Sequence, residues 1–195
     1  MSWFNNLSFR YKVLLPIVVF AALIVSMAAF SFISTRDLGK ATTNIATHDL
    51  AALNYLLQAD RDLYQALVAE RSMIFVDVES DKFKKLQASH DENVQQAHER
   101  VEKFINVANE AGFDRDGGLA KQFGAYRKLR DEWETMTAEV VKQRASNTRT
   151  GRNTAIEMSF GNAADKFKAM RSIIDKLSDF MLQRVEQIKQ NSQVM

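Results

Sequence analysis

Two arginines and a tyrosine lie in one stretch of the chain at a spacing suited to binding a ligand. On an α-helix, at about 100° per residue, Arg61, Tyr64 and Arg71 fall within about 80° of one another. One ligand or one neighbouring helix can therefore contact all three. Because the planar guanidinium of arginine makes two parallel hydrogen bonds to a carboxylate, the pattern predicts a site for a small ligand with an anionic group.

Asp60 and Arg71 occupy positions at which the apolar pattern of the same stretch expects buried residues, in step with Leu53, Leu57 and Leu67. A buried charge needs a partner. Two interpretations are open: the charges form salt bridges between helices or subunits, or Arg71 belongs to a polar pocket that receives a ligand.

Residue patterns typical of catalysis are weak. The histidines are His48, His90 and His98, and neither a cysteine nor a Glu-x-x-His pair accompanies them, so we expect them at the surface or rim of the fold. Asp60 and Asp62 are two residues apart and do not face each other on a helix, which argues against an acid–base dyad. We predict a non-enzymatic protein without a cofactor or a metal.

The composition favours an all-α fold. Among 195 residues there are one proline, seven glycines and no cysteine, and 26% are charged, so turn-forming residues are scarce and helix-forming residues abundant. The formal net charge is +2. Arg10 and Lys12 are the only charged residues before position 35, so the remainder is formally neutral, and nucleic acid is not an expected partner.

A run of 21 residues without a charge extends from Val13 to Ile33. At about 1.5 Å per residue it nearly matches a hydrocarbon core of about 30 Å. The rival interpretation is a signal peptide cleaved at Ser26-Met27-Ala28, but the apolar run continues past that point and signal peptides usually have only ~7–15 apolar residues. The run therefore predicts a membrane-spanning helix.

The charges on either side of this run do not set its orientation, because Arg10 and Lys12 before it are matched by Arg36 and Lys40 after it. Long domains translocate largely regardless of charge. We therefore predict a cytoplasmic N-terminus at 1–12, a transmembrane helix at 13–33 and an extracytoplasmic domain at 34–195.

Beyond the apolar run the pattern predicts an antiparallel, up-down four-helix bundle, with helices at 37–78, 80–111, 118–146 and 153–194. Two breaks are rich in turn residues, around Gly112 to Gly118 and around Asn147 to Gly151. The break near residue 80 is marked only by Ser80 and Asp81, which are N-cap candidates.

The first and fourth helices carry more apolar surface than one bundle core uses. In the first helix two adjacent apolar seams cover about 200°. Members of these seams are Leu50, Leu53, Leu56, Leu57, Ala59 and Leu63. The surplus predicts a homodimer through helices one and four. The alternative is a monomer with a thicker core.

Equal rise along helices one and four indicates which residues face the arginines. If helix one begins near the membrane at Ile33 and helix four returns to it near Met195, Arg71 lies level with about Glu157. The ligand-site candidates on helix four are then Glu157 and Phe160, opposite Arg61, Tyr64 and Arg71.

The segment from Leu56 to Ile74, LLQADRDLYQALVAERSMI, resembles the first periplasmic helix of methyl-accepting chemotaxis proteins with a four-helix-bundle sensor domain. The start Ser8-Phe9-Arg10-Tyr11-Lys12, running into the apolar span, resembles their N-termini. The resemblance implies a sensor in the bacterial inner membrane that works as a homodimer. It implies a ligand site near the membrane-distal end, at the subunit interface of helices one and four, and a shift of helix four toward the membrane on binding.

Members that bind aspartate use a cluster of arginines on helix one. Here Arg61 and Arg71 stand at a different spacing, so the resemblance does not carry over an amino-acid ligand. Histidine kinases and diguanylate cyclases use similar input domains, which leaves the output open. The pattern is still helical at Met195, so we expect a fragment that lacks a second membrane helix and a cytoplasmic signalling part. The alternative is a membrane-anchored bundle that binds a partner protein.

Overall fold

A computed structural model of the protein describes residues 8–114 and 117–193, without the side chains of residues 191–193. Its helices are α1 (Phe9–Asn44), a π-helical segment (Ile45–Asp49), α2 (Leu50–Ile74), α3 (Asp81–Glu110), α4 (Gly118–Ala145), α5 (Arg149–Phe160) and α6 (Asn162–Gln193). No strand occurs in these residues, so the all-α prediction is confirmed.

The described residues form two compact units. One contains the residues up to Asn44 together with those from Ile188 onward, and the other is Ile45–Gln187. In the first unit, α1 has no buried residue, and its large apolar side chains are exposed throughout the predicted span, 13–33. By length and composition it is the one helix in the described part of the chain that could cross a membrane.

The second unit is a four-helix bundle, as predicted. Helices α2, α3 and α4 and the pair α5–α6 each direct one apolar stripe inward. Among the largest fully buried side chains are Leu56, Leu63, Phe104, Tyr126, Trp133, Met170, Ile174 and Leu177. The rings of Phe104 and Phe123 pack edge to face with centroids 5.7 Å apart, which joins α3 to α4.

Side-chain caps fix where two of the helices begin. Ser80 is the N-cap of α3, and its hydroxyl accepts a hydrogen bond from the Phe83 backbone N–H at 3.2 Å, so the weak break near residue 80 is confirmed. Thr148 caps α5 in the same way, accepting from the Gly151 N–H at 2.9 Å. Helix four therefore begins at Arg149, four residues before the predicted start.

The prediction of one unbroken fourth helix is wrong, because Gly161 separates α5 from α6. The backbone of Gly161 has φ −101° and ψ −113°, outside the helical region. A Cβ atom here would lie 2.7 Å from the carbonyl oxygen of Glu157. The backbone at this position therefore requires glycine.

A buried arginine holds the turn between α2 and α3. Arg144 of α4 donates from Nε to the carbonyl of Met73 at 3.1 Å and from Nη2 to that of Val76 at 2.6 Å. These bonds tie the last turn of α2 and the turn that follows it to α4. Burial, with repulsion from Arg152, lowers the pKa of Arg144.

Replacing a buried and an exposed phenylalanine by alanine tests where the hydrophobic core lies. Phe104 is 0% exposed and Phe75 is 71% exposed. We expect Phe104→Ala to lower the free energy of unfolding by about 3–5 kcal/mol, because it removes a core ring and leaves a cavity. The matched variant Phe75→Ala should change it by less than about 0.5 kcal/mol. Urea unfolding of the full chain in detergent micelles, followed by circular dichroism, measures both; equal losses would contradict this core.

Candidate functional site

Arg171 of α6 binds two residues of α2. Its Nε and Nη2 donate to the two carboxylate oxygens of Asp60, at 2.5 and 3.0 Å, and its Nη1 donates to the Tyr64 hydroxyl at 2.8 Å. The guanidinium carbon also lies 4.2 Å from the centroid of the Tyr64 ring. The hydrogen bonds that Arg171 donates to Asp60 raise the pKa of Arg171. Asp60 thus follows the first interpretation, a salt bridge between helices.

Arg71 has a different environment. Its guanidinium carbon lies 4.5 Å above the ring of Phe160, the last residue of α5. No hydrogen bond or ion pair joins this guanidinium to residues 8–114 or 117–193, and its Nε atom is buried without a partner. The Arg71 side chain is half-buried, and the Phe160 ring covers one face of its guanidinium. The N–H donors at the edge of the guanidinium stay available for a carboxylate.

Arg61 does not take part in the contact between Arg71 and Phe160. Its guanidinium donates to the Asp62 carboxylate at 2.7 and 2.9 Å, and it lines an open groove of about 680 Å³ together with Tyr64 and with Ser89 of α3. The structure therefore separates Arg71 from the other two predicted residues of helix one, because Arg61 and Tyr64 line the same groove. Tyr64 contacts Arg171, Arg71 contacts a phenylalanine, and Arg61 faces α3.

The two helix-four candidates differ as well. Phe160 contacts Arg71, whereas the side chain of Glu157 is exposed and makes no hydrogen bond or ion pair with the described residues. The contact of Arg71 thus falls at Phe160 and not at the predicted level of Glu157. Equal rise assumed regular α-helices, but the π-helical segment before α2 and the break at Gly161 both change how many residues span a given length.

A buried polar layer, which the sequence analysis missed, joins all four helices of the bundle. Ser159 of α5 donates to Glu70 Oε1 at 2.5 Å, and Thr137 of α4 donates to Glu70 Oε2. His90 Nε2 of α3 lies 3.0 Å from the Thr137 hydroxyl oxygen. All four side chains are at least nine-tenths buried, and Glu70 of α2 is 1% exposed.

The hydrogen bonds of this layer assign the protons. Thr137 has one hydroxyl proton and donates it to Glu70, so His90 must donate from Nε2. His90 Nδ1 lies 2.9 Å from the carboxylate of Asp91. The ring of His90 thus links the Thr137 hydroxyl to Asp91 at the outer end of the layer.

The prediction that His90 lies at the surface or rim is therefore wrong. A signal was present in the sequence, because His90 is in step with Val94, Ala97 and Val101 on the apolar seam of α3. Among the described residues, no three His, Cys, Asp or Glu side chains group together in a way that could hold a metal ion.

Comparison with known proteins gives one match. A family model described as a four-helix-bundle sensory module for signal transduction matches residues 6–195. The match therefore includes both the apolar N-terminal helix and the whole bundle. Neither the curated proteins nor the solved structures include a protein that matches the chain.

Replacing Glu70 tests the buried layer. Glu70→Ala leaves the buried hydroxyls of Thr137 and Ser159 without their acceptor, so we expect it to lower the free energy of unfolding by about 2–6 kcal/mol, at ~1–3 kcal/mol for each donor. The matched variant Glu157→Ala, at an exposed residue, should change it by less than about 0.5 kcal/mol. Denaturant unfolding of both full-length variants measures the difference. Similar stabilities would mean that the layer contributes little.

Proposed function

The chain belongs to the four-helix-bundle sensory modules of methyl-accepting chemotaxis proteins, and on this basis we propose that it is the non-enzymatic input of a bacterial transmembrane receptor for a small anionic signal. An anionic ligand is supported by the environment of Arg71: its half-buried guanidinium has an aromatic contact and no carboxylate partner among the described residues. A ligand carboxylate supplies the two acceptors that this fork fits.

Membrane anchoring follows from the family, and α1 is its anchor in this proposal. The exposed apolar side chains of residues 13–33 face lipid, the N-terminus is cytoplasmic, and the bundle is extracytoplasmic. The turn between α2 and α3 is then the membrane-distal end. Arg71 and Phe160 lie near this end, one turn before α2 stops and at the end of α5.

The receptor is a homodimer in this proposal, and an exposed stripe on helix one supports it. Leu50, Leu57 and Tyr64 follow one another at seven-residue intervals, and all three side chains are exposed. Arg71 is the next residue of the same series. Apolar residues repeated every seven positions are typical of helices that pair along their length. The exposure of these residues favours a second subunit over a thicker monomer core.

Binding at Arg71 couples the ligand to helix four through Phe160. A carboxylate on the guanidinium adds a contact between α2 and α5, and so favours whichever position of helix four allows that contact. A ligand shifts such an equilibrium by the difference between its affinities for the two positions. Occupancy of the site thereby becomes a small displacement of helix four against helix one.

Arg71→Ala tests the ligand site. The full chain in lipid nanodiscs is screened by thermal unfolding against a panel of mono- and dicarboxylic acids. We expect one acid to raise the melting temperature, since a ligand at about 100 times its Kd stabilises the folded state by about 2.7 kcal/mol. Arg71→Ala should abolish the shift, and Arg127→Ala, which breaks an exposed pair with Glu102, should keep it. A chain stabilised by a partner protein and by no acid would favour the alternative, a protein-binding bundle.

Cysteine crosslinking tests the dimer. The chain has no cysteine of its own, so a single introduced thiol reports without background. We expect Leu57→Cys in nanodiscs to form a disulfide-linked dimer under mild oxidation, because the same stripe from two subunits brings the two thiols together. Lys128→Cys, on the exposed side of α4, should stay monomeric on a non-reducing gel. Crosslinking at Lys128 but not at Leu57 would place the interface elsewhere.

A further inference from the structure

The open groove of about 680 Å³ between α2 and α3 is large enough to hold a small molecule. Pockets for such ligands usually have volumes of roughly 300–1,000 Å³. Neither Arg71 nor Phe160 lines this groove, so it is separate from the ligand site proposed above. Its lining residues are Arg61, Tyr64, Gln65 and Val68 of α2, and Ser89 and Asn93 of α3.

Asn93 supplies a hydrogen-bond acceptor to this groove. Its Nδ2 donates to the backbone carbonyl of Ser89 at 2.7 Å. Because a backbone carbonyl oxygen only accepts, the amide nitrogen and not Oδ1 must face Ser89. Asn93 is only 9% exposed, and its Oδ1 accepts no hydrogen bond from the described residues. A largely buried acceptor without a donor is unfavourable, so this oxygen favours a ligand that brings an O–H or N–H group.

The other polar side chains of the groove provide donors as well as acceptors. The hydroxyl oxygen of Tyr64 accepts one hydrogen bond, and Ser89 Oγ accepts one from Asn93 Nδ2 at 3.2 Å, so each hydroxyl keeps a proton to donate. The exposed carboxamide of Gln65 can donate and accept. Val68, which is 61% exposed, adds apolar surface. A molecule with several hydroxyl groups on a C–H framework matches this mixture, because each hydroxyl also donates and accepts.

The charges around the groove argue against an ionic ligand. Of the described residues that line it, only Arg61 is charged. Its Nε and Nη2 both donate to Asp62 Oδ1, at 2.9 and 2.7 Å, so a carboxylate already occupies this guanidinium fork. No acidic side chain among the described lining residues could receive an ammonium group. A neutral ligand therefore fits the groove better than an anion or a cation.

We propose that this groove binds a neutral, hydroxyl-rich molecule of the size of a monosaccharide. One hydroxyl donates to Asn93 Oδ1, Gln65 bonds a second hydroxyl, and the C–H face of the ring packs against Val68. The ligand thereby joins α2 to α3. Binding in the groove does not rest on the function proposed above, because it uses neither Arg71 nor Phe160.

Saturation-transfer difference NMR tests the groove, because it detects the protons of a small molecule only if that molecule contacts the protein. The full chain in lipid nanodiscs is titrated with D-glucose, D-galactose and D-mannose, each beside its uronic acid, and empty nanodiscs give the background. We expect at least one sugar to give a saturable signal and its uronic acid to bind more weakly, since the added charge loses water without gaining a partner. No saturable signal from any of the three sugars, or tighter binding of a uronic acid than of its parent sugar, would overturn the proposal.

Variants of two amide side chains locate the binding. Asn93→Ala removes the buried acceptor and should weaken sugar binding about tenfold, and Gln65→Ala, at an exposed residue, should weaken it about threefold. The matched variant Gln87→Ala, at an exposed glutamine of α3 outside the groove, should leave it unchanged. If Asn93→Ala does not fold, Gln65→Ala decides. Binding that is unchanged in the groove variants, or equally weakened in Gln87→Ala, would refute the groove.

The same titration separates the groove from the Arg71 site. Arg71→Ala should keep sugar binding, because Arg71 does not line the groove. A failed acid screen with intact sugar binding would therefore refute only the Arg71 site. Loss of sugar binding in a folded Arg71→Ala variant would refute the groove as a separate site.

Discussion

A carboxylate at the centre of a helical bundle must receive hydrogen-bond donors, since an uncompensated buried charge is strongly destabilising. Glu70 is such a carboxylate, and its donors come from α4 and α5, with His90 of α3 behind the first of them. A slip of any one helix by a turn would separate these groups. The hydrogen-bonding demand of a single residue therefore fixes the register of all four helices, which apolar contacts alone specify less strictly.

The same demand positions the proposed ligand site. Glu70 and Arg71 are consecutive in α2, and Ser159 and Phe160 are consecutive in α5. The Glu70–Ser159 hydrogen bond and the Arg71–Phe160 contact therefore lie at the same level along the two helices. The Glu70–Ser159 bond on the inside holds the Phe160 ring against the Arg71 guanidinium on the outside. Gly161 is the next residue after Phe160 and ends α5. Beyond this break, α6 contacts α2 through a separate ion pair between Arg171 and Asp60.

Helical periodicity was enough to predict the all-α class and the four-helix bundle, and to mark Asp60 as a charge on an apolar seam, because these depend on which face of a helix is apolar; whether Asp60 pairs with another helix stayed open. It did not predict the layer around Glu70. Glu70 is in step with Leu56, Leu63 and Ala66, yet a polar residue on a seam has meaning only through partners on other helices, and Thr137 and Ser159 are far away in sequence. The break at Gly161 was missed for the opposite reason, since a lone glycine is tolerated inside many helices.

Three acidic residues of helix one form ion pairs with arginines of other helices, whereas Arg71 does not form an ion pair with the described residues. Asp49, Asp60 and Asp62 each bind an arginine of another helix: Arg184, Arg171 and Arg100, respectively. In this series the acid is on helix one and the cation on its neighbour, so every charge is compensated within the bundle. Arg71 reverses the order, a cation on helix one that meets an aromatic ring on helix four. Arg71 has no acidic partner among the described residues, and this is the observation on which the proposed anionic signal rests.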